Sequence, residues 1–480
     1  MAASSLLFLS LLSLMSLCFS QQTQISSEKQ TLLQIKDDWG NPSALASWSN
    51  SSSSDYCKWT GVNCSADGSV TQLVLSSEDI TGGVPRSICQ LKSLSHLDLS
   101  DNEIPGSFPQ FLSNCTNLQY LDLSGNYFVG VLPSNLDRVL PNITNLYLSD
   151  NNFTGEIPSS IGKMTQLRSL WLDNNLFNGT MPRFISNLIN LQELTLAYNL
   201  FTPGQIPEEY GNLTELAYIF MASTNLEGDI PNSLTKLTQL EHLDLAYNSL
   251  HGTIPPGIWS FSNLQVLYLQ QNNLSGEIAV VNGSFGANGL VEIDLSMNQL
   301  SGSIPKSFGK LQNLSVLFLY YNNLSGEIPA GIGLLPKLTD IRLFNNKLTG
   351  VLPPELGKNS PLWNLEVFNN MLSGEIPSNI CYKGTFTYLS VYNNNLTGSI
   401  PKSLGQCPHL NGIQVYNNHL SGEVPDGLWQ MQNLSTVVMN NNMLSGQLPS
   451  SLPWNLTRLE IQNNRFSGSV PTSAGPTLRI

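Results

Sequence analysis

Six of the seven cysteines in this chain of 480 residues are placed to form covalent cross-links. They fall into three pairs: Cys57 with Cys64, Cys89 with Cys115, and Cys381 with Cys407. The second and third pairs are both 26 residues apart and follow prolines at the same distances, so they share one phase of successive repeats. This spacing predicts three disulfides, with buried free thiols as the alternative. No Cys-x-x-Cys run or neighbouring His completes a metal site, so we expect no metal.

Acid–base chemistry has no comparable arrangement of side chains. The five histidines are scattered, at His96, His242, His251, His409 and His419. Glutamates recur in a Gly-Glu-(Ile/Val) unit, at Glu156, Glu277, Glu327, Glu375 and Glu423. An evenly spaced stripe predicts solvated carboxylates, whereas acid–base catalysis needs two carboxyl groups in unlike environments. We therefore predict a protein that is not an enzyme and needs no cofactor.

A repeat must position all of these residues. The frame Leu-x-Leu-x-x-Asn-x-Leu-x-Gly-x-Ile-Pro recurs from residue 73 almost to the end. Its Asn position falls at Glu78, Asn102, Asn126, Asn151, Asn175, Asn199, Thr224, Asn248, Asn272, Asn298, Asn322, Asn346, Asn370, Asn394, Asn418, Asn442 and Asn464. We call the asparagines at this position the ladder asparagines. Each Leu-x-Leu predicts a short strand with one buried side, and stacking is needed because one rung cannot bury that side alone. The predicted fold is an α/β solenoid, a superhelix of about 17 rungs with short parallel strands on its concave face.

The ends of the chain differ from the repeat. Residues 1–20 predict a secretory signal, since the apolar run from Leu6 to Phe19 is too short to span a membrane. Residues 21–72 predict a cap that contains an amphipathic helix at 26–39, with Ser27 as a possible N-cap. The repeats are expected at 73–470 and an uncapped tail at 471–480. We expect a secreted protein in the extracellular space or cell wall, with no transmembrane segment, or a plasma-membrane location as part of a longer receptor.

Export is also favoured by 14 Asn-x-Ser/Thr sequons, the acceptor sequence for N-linked glycans. They are Asn50, Asn63, Asn114, Asn142, Asn152, Asn178, Asn212, Asn273, Asn282, Asn313, Asn323, Asn395, Asn433 and Asn455. Glycans at several of them are expected in a secreted protein.

A binding surface is predicted at the residues between the two strand leucines, which should face the concave side. Aromatic residues concentrate there in rungs 4 to 11, with two more just before their ladder Asn and one cation in the same column. The set is Tyr147, Trp171, Tyr198, Phe220, Tyr247, Tyr268, Phe318 and Arg342. Exposed aromatics on a rigid sheet suit a peptide or protein ligand, and mutual stacking without a ligand is the alternative. The aromatic span would hold about ten extended residues.

Two further features qualify this surface. Arg342 is near Asp340, so it forms a surface salt bridge or receives a ligand carboxylate. A second column, Tyr320, Phe344, Phe368, Tyr392 and Tyr416, predicts a structural aromatic ladder.

The net charge of −13 argues against nucleic acid as a partner, because nucleic acid binds clustered Lys and Arg. The same charge permits a basic partner.

The motif Leu-x-Gly-x-Ile-Pro marks the plant class of leucine-rich repeat, and the segment Cys57-Lys-Trp-Thr-Gly-Val-Asn-Cys64 resembles the cap of plant leucine-rich-repeat receptor kinases. The stretches Phe201-Thr-Pro-Gly-Gln-Ile-Pro207 and Asn379-Ile-Cys-Tyr-Lys-Gly384 resemble the HAESA-like subfamily in particular. The resemblance implies an ectodomain that binds a secreted peptide on its inner surface and a co-receptor kinase with a short repeat ectodomain near its C-terminal rungs.

The chain departs from that family in two respects. It lacks the family's further rungs, C-terminal cap, membrane helix and kinase, so we expect a truncated receptor, a decoy or a receptor-like protein in plant signalling or defence. In several members an Arg-x-Arg pair receives the C-terminal carboxylate of the peptide. This chain has Gly412 and Gln414 at those two positions. The alternative function is inhibition of a microbial or cell-wall enzyme such as a polygalacturonase by a secreted protein. Other plant proteins of this repeat class are such inhibitors.

Overall fold

The structure is a computed structural model that describes residues 27–51, 55–279, 285–469 and 471. The predicted signal segment 1–20, Asn282 and nearly all of the tail at 471–480 lie outside the described residues. The chain folds as two compact units, Met1–Asn225 and Leu226–Ile480. None of the described helices is long and apolar enough to cross a membrane.

The described part of the first unit begins with a helix at residues 27–38, whose apolar side chains Leu32 and Ile35 are fully buried. Ser27, expected to cap this helix, is already helical. The buried Glu28 carboxylate accepts a hydrogen bond from the Val70 amide at 2.8 Å, which ties the helix to the first repeat strand.

Eight strands form the main sheet of the first unit. They are Val62–Cys64, Val70–Val74, His96–Asp98, Tyr120–Asp122, Asn145–Tyr147, Ser169–Trp171, Glu193–Thr195 and Tyr218–Phe220. The first two pair antiparallel and the later ones pair parallel and in register. The middle residue of each three-residue repeat strand, such as Leu121 or Leu170, is fully buried. Its two neighbours therefore lie on the opposite, exposed face.

Each rung of the first unit returns through a second sheet or a tight turn. The second sheet consists of Pro105–Gly106, Tyr127–Val131, Asn152–Glu156 and Leu176–Asn178. The turns are the 3-10 helices Ser43–Leu45, Tyr56–Lys58, Arg86–Gln90, Gln110–Asn114, Ser159–Lys163, Arg183–Asn187 and Glu208–Asn212, and the α-helix Leu136–Val139.

The second unit repeats the same plan with ten parallel strands in its main sheet. They are His242–Asp244, Val266–Tyr268, Glu292–Asp294, Val316–Phe318, Asp340–Arg342, Asn364–Glu366, Tyr388–Ser390, Gly412–Gln414, Thr436–Val438 and Arg458–Glu460. The seven repeat strands from Val70 to Phe220 and these ten give the 17 rungs that the sequence predicts.

The return segments of the second unit contain a second set of short strands outside the main sheet. Its further strands are Glu227–Asp229, Ser249–His251, Ser275–Glu277, Gln299–Ser301, Ser325–Glu327, Lys347–Thr349, Ser373–Gly374, Asn395–Leu396, Ser421–Glu423, Met443–Gln447 and Arg465–Ser467. Its 3-10 helices are Asn232–Lys236, Pro256–Ser260, Lys306–Lys310, Ala330–Leu334, Lys402–Gln406 and Asp426–Gln430.

The ladder asparagines hold the turns that leave the main sheet. Asn298 is representative: its Nδ2 donates to the carbonyls of Leu269, Leu295 and Ser296 at 2.9, 3.2 and 3.1 Å. Its Oδ1 accepts from the Leu274 amide at 3.0 Å. One buried side chain thus bridges four backbone groups of neighbouring rungs and supplies the acceptor of the buried Leu274 amide, which explains why Asn recurs.

The two rungs without Asn depart from this geometry. Where Thr224 replaces Asn, both Ser223 and Asn225 adopt positive φ, at 53° and 57°. The rung of Glu78 likewise has two such residues, Ser77 and Asp79. Because Thr has no amide to bridge the turn, the irregularity expected at Thr224 is present.

The six cysteines that follow the predicted signal segment are joined as Cys57–Cys64, Cys89–Cys115 and Cys381–Cys407. The last two bonds each link the turns of consecutive rungs. They fix the spacing of neighbouring rungs on the side of the molecule away from the main sheet.

Candidate functional site

The aromatic residues predicted in the first unit lie on the exposed face of its main sheet. Tyr147, Trp171 and Phe220 are half-buried, and Tyr198 is 45% exposed. Tyr147 meets Trp171 edge to face with ring centroids 5.1 Å apart, and Tyr198 meets Phe220 in the same way at 5.9 Å. Stacking therefore occurs, and it leaves part of each ring open to solvent.

Two aromatics that the sequence analysis overlooked extend this run. The Tyr120 ring lies 5.2 Å from that of Tyr147, and the Tyr218 ring lies 6.4 Å from that of Trp171. Both are the first residue of a three-residue strand, which faces the same side as the third residue. The column predicted from the sequence contains only third-position residues, although period-two alternation places both positions on one face.

Acidic groups accompany these rings. The Trp171 Nε1 donates to the Glu193 Oε2 at 3.0 Å. Asp98 and Asp122 are register partners on adjacent strands. Burial, and to a lesser extent the charge of Asp98, raises the pKa of the Asp122 carboxyl above its ordinary value. None of the eight main-sheet strands of this unit contains Lys or Arg, so its exposed face is acidic.

The second unit presents Tyr247, which is 47% exposed, and the half-buried Tyr268 and Phe318. Tyr268 lies between Asp244 and Asp294 in the strand register. Its hydroxyl donates to the carboxylate of Glu292. The result is a phenol ring flanked by carboxylates on both neighbouring strands.

The two flanking aspartates are strongly buried. Asp244 accepts from the Ala246 amide at 2.9 Å, and Asp294 accepts from the Ser296 amide at 2.9 Å. Burial raises the pKa of Asp244 to about 6, with a smaller contribution from the charge of Asp294. Burial also raises the pKa of Asp294. No ion pair in the described part of the chain involves either carboxylate.

Arg342 is held firmly by its neighbours. Its Nε and Nη2 donate to the two oxygens of Asp340 at 3.2 and 2.9 Å, and its guanidinium lies 4.6 Å from the centroid of the Phe318 ring. Glu366 lies 3.7 Å from Nε. Asn364 donates to both Asp340 and Glu366, at 2.8 and 2.9 Å. The cluster of one cation and two carboxylates has a net charge of −1, so it disfavours an anionic ligand.

The second aromatic column forms a continuous stack. Rings of Tyr320, Phe344, Phe368, Tyr392 and Tyr416 lie 4.5, 4.3, 4.3 and 4.2 Å apart in sequence, and neighbouring planes deviate by 10 to 12°. Ring faces are occupied by the neighbouring rings, so the column presents mainly ring edges. This geometry suits the structural role predicted for it.

Gly412 and Gln414 lie on a strand whose exposed side is covered by the aromatic ring of Tyr388. A Cβ at Gly412 would collide with the ring of Tyr388. The Tyr388 hydroxyl accepts from the Gln414 Nε2 at 2.6 Å. Two rungs away, Arg458 is paired with Glu460 at 2.7 Å. This part of the face therefore offers a ligand no unpaired guanidinium.

The remaining candidate groups are dispersed. Among the described residues no three His, Cys, Asp or Glu side chains are close enough to hold a metal ion. The sequon asparagines in the described ranges are exposed, apart from the half-buried Asn313 and Asn455. The recurring glutamates Glu277, Glu327 and Glu375 lie on the second set of strands or beside it, against the glycine of the next rung.

Comparison with known proteins places these features in a family context. Family models match as "Leucine rich repeat N-terminal domain" over residues 25–65, as "Leucine-rich repeat region" over 109–275, and as "Leucine rich repeat" over 68–128, 288–372 and 385–407. The leucine-rich repeat receptor protein kinase EMS1 of Arabidopsis thaliana is 43% identical over 70 residues, 15% of this chain and 6% of that protein. Polygalacturonase inhibitor 1 of Oryza sativa subsp. japonica is 35% identical over 69 residues, 14% of this chain and 20% of that protein. Each alignment thus spans a small share of the relative's own length.

Solved structures match over far longer ranges. The ectodomain of the Arabidopsis receptor kinase HAESA, in complex with an N-terminally extended IDA peptide hormone, aligns with a TM-score of 0.88 and 41% identity, covering 94% of this chain and 75% of that chain. HAESA in complex with IDA and the co-receptor SERK1 aligns with a TM-score of 0.77 and 36% identity, covering 92% and 87%. The peptide hormone receptor RGFR1 in complex with RGF2 aligns with a TM-score of 0.76 and 36% identity, covering 86% and 65%.

Proposed function

The chain belongs to the leucine-rich-repeat family, as an ectodomain of the HAESA-like kind, and we propose that it binds a secreted peptide on the exposed face of its main-sheet strands. The observation that carries the proposal is the set of half-exposed rings on that face, including Trp171 and Phe220 in the first unit and Tyr268 and Phe318 in the second. Aromatic side chains of this kind supply most of the binding energy in many interfaces because they bury large areas at low entropic cost.

The charged side chains on the main-sheet strands indicate which kinds of peptide can bind there. In the main-sheet strands of the second unit there are six carboxylates and two guanidinium groups: Asp244, Glu292, Asp294, Asp340, Glu366 and Glu460, with Arg342 and Arg458. Both guanidinium groups are already paired. A peptide with basic or neutral side chains complements this face, whereas an acidic peptide is repelled.

The Tyr388 ring, which covers Gly412, places a second restriction on the ligand. Tyr388 covers the position where an Arg side chain would begin, and Gln414 offers an amide in place of a cation. An amide can hydrogen-bond a carbonyl or hydroxyl but cannot make the charge-assisted, bidentate contact that an Arg makes with a carboxylate. We therefore propose that the ligand is not anchored here through a free terminal carboxylate.

A co-receptor is the second proposed partner. The HAESA complex that matches this chain contains the co-receptor SERK1 and the peptide IDA. We propose that a short leucine-rich-repeat co-receptor docks on this chain after peptide binding, as part of an extracellular recognition step. Three disulfides and the sequons are in keeping with the extracellular location.

Inhibition of a polygalacturonase is the weaker alternative. A polygalacturonase inhibitor matches over 69 residues, whereas peptide-hormone receptor ectodomains match over almost the whole chain. The proportion of shared structure therefore favours peptide recognition as the function of the exposed face.

Calorimetric titration of the IDA peptide into the full secreted chain tests the proposal. Saturable binding is expected, with a loss of affinity of about tenfold or more in Phe220→Ala and in Phe318→Ala. Tyr382→Ala is the control, because Tyr382 is an exposed aromatic residue outside the strands. Equal affinities in all three variants would refute the placement of the ligand on this face.

A further inference from the structure

An exposed apolar strip lies on the second sheet of the first unit, away from the proposed peptide site. Tyr127, Val129 and Val131 alternate along one strand and are 60, 49 and 64% exposed. Phe128 between them is buried, so the three side chains share the outer face of the sheet. Single exposed apolar residues are ordinary, but a contiguous strip usually marks a surface that is covered in the working protein.

A glycosylation acceptor adjoins this strip. Asn152 begins the sequon Asn152-Phe153-Thr154 and is the register partner of Val129 on the next strand. Phe153 is fully buried while Asn152 is exposed, so the acceptor amide lies on the same outer face as the strip. Adjacent strands are about 4.8 Å apart, so a sugar on this amide starts beside Val129.

The other side of the acceptor continues the apolar surface. Thr154 has Val131 as its register partner on one side and Leu176 on the other. Leu176 is also exposed. A group that projects from Asn152 therefore has apolar side chains on both flanking strands, rather than open water on one side.

Comparison among the sequons makes Asn152 distinctive. Asn273, Asn323 and Asn395 also directly follow a ladder asparagine and so occupy the same position in their rungs. The second-set strands around Asn323 begin with Gln299 and Lys347, which are polar and exposed. The sequon position is thus shared, but the register partner differs: it is Val129 for Asn152 and Ser373 for Asn395.

Some sequon amides are already engaged in the fold. The Nδ2 of Asn142 donates to the Thr116 carbonyl at 2.8 Å, and the Nδ2 of Asn433 donates to the Pro408 carbonyl at 3.1 Å. The side-chain hydrogen bonds of the described residues include none from the Nδ2 of Asn152. Attachment of a sugar there costs no side-chain hydrogen bond of the folded chain.

We propose that Asn152 carries an N-linked glycan whose first sugars cover Tyr127, Val129 and Val131. Attachment forms a bond between the Asn152 Nδ2 and C1 of the first N-acetylglucosamine of a lipid-diphosphate-linked oligosaccharide. The C1–O bond to the diphosphate breaks, the lipid diphosphate leaves with the bonding electrons, and one Nδ2 proton passes to a base. The C–H face and acetamide methyl of that sugar pack on the apolar strip, and its hydroxyl groups face water. The proposal is independent of peptide binding.

Glycopeptide mass spectrometry of the full chain secreted from a eukaryotic host tests the modification itself. Asn152 is expected to be occupied in most molecules. An Asn152 peptide recovered without sugar from the secreted protein overturns the proposal.

Matched variants test the covering role. Asn152→Gln and Thr154→Ala remove the sequon through different residues, and Asn323→Gln removes a glycan from the same rung position in polar surroundings. The first two variants are expected to bind about twofold or more of an apolar fluorescent dye relative to Asn323→Gln and to self-associate. Adding Val129→Thr and Val131→Thr to Asn152→Gln should reverse both changes.

Two results contradict the covering role. Dye binding that is equal in Asn152→Gln and Asn323→Gln shows that no apolar surface was covered. A dimer of the fully glycosylated wild-type chain that Val129→Thr and Val131→Thr dissociate shows that a second copy covers the strip in place of the glycan. Thermal unfolding of each variant confirms that the comparison is made on folded protein.

Discussion

Trp171 and Glu193 are joined across adjacent strands by a hydrogen bond of 3.0 Å from the indole Nε1 to the carboxylate Oε2. The same indole meets the Tyr147 ring edge to face at 5.1 Å. The ring is therefore held on two sides while part of it remains exposed. An anchor that is already oriented loses less conformational entropy on binding, which favours affinity.

Releasing this indole should weaken peptide binding without unfolding the chain. In Glu193→Ala the Nε1 loses its acceptor, and affinity is expected to fall about fivefold, in line with about 1 kcal/mol for a hydrogen bond. Glu193→Gln keeps an acceptor oxygen and should stay within about twofold of wild type. Titration calorimetry with the IDA peptide distinguishes the two. Equal loss in both variants would assign the effect to the charge of Glu193 instead.

Asp244→Asn should stabilise the chain in a pH-dependent way. The folded-state pKa of Asp244, raised to about 6 mainly by burial, lies above the ordinary value of 3.8. The ionised form is therefore disfavoured by folding, and stability is lost as pH rises through about 6. The variant should gain up to about 3 kcal/mol over wild type at pH 7 and almost nothing near pH 4.

Chemical denaturation of wild type and Asp244→Asn at the two pH values measures this difference. Asp426→Asn serves as the control, because Asp426 is an exposed carboxylate in a turn of the same unit. A stability difference between wild type and Asp244→Asn that is the same at pH 7 and pH 4 would contradict the linkage.

Loss of one ladder asparagine should cost far more than loss of its neighbour. Asn298→Ala removes the side-chain acceptor of the buried Leu274 amide. The three carbonyls that Asn298 also contacts keep other donors, namely the side chains of Asn272 and Asn322 and the Gln271 amide. The expected cost is about 1 to 3 kcal/mol, that of one buried unsatisfied group. Gln299→Ala, at an exposed position, should change stability by less than about 0.5 kcal/mol. Denaturant midpoints compare them, and similar midpoints would refute the bridging role.

Gly412 and Tyr388 should prove energetically coupled. Gly412→Ala places a methyl group against the Tyr388 ring and is expected to destabilise the chain by about 1 to 3 kcal/mol. Tyr388→Ser removes the ring, so adding Gly412→Ala to it should cost almost nothing. The double-mutant cycle measures the coupling by thermal unfolding. Additive effects of the two substitutions would show that the cost of the methyl group does not come from the Tyr388 ring.

The strands and turns were predictable from the repeat. Its alternating leucines can be buried, and its ladder asparagines can bond the turns, only when the rungs stack on one another. The sequence also placed Trp171 and Phe318 on the exposed face. It did not identify Tyr120 and Tyr218, since the first residue of each strand was left out of the column. The closure of Gly412 by Tyr388 depends on how one ring lies against the backbone of a residue 24 positions later, which no local pattern specifies.

A photo-crosslinking footprint tests the central claim most directly. An IDA peptide that carries benzophenone groups would be bound to the full chain and irradiated, and the adducts mapped by mass spectrometry. Adducts are expected on the main-sheet strands, at Tyr147, Trp171 and Phe220 in the first unit and at Tyr268 and Phe318 in the second. Adducts confined to the turns and second-set strands, or displaced equally well by an unrelated peptide, would contradict recognition by the exposed face.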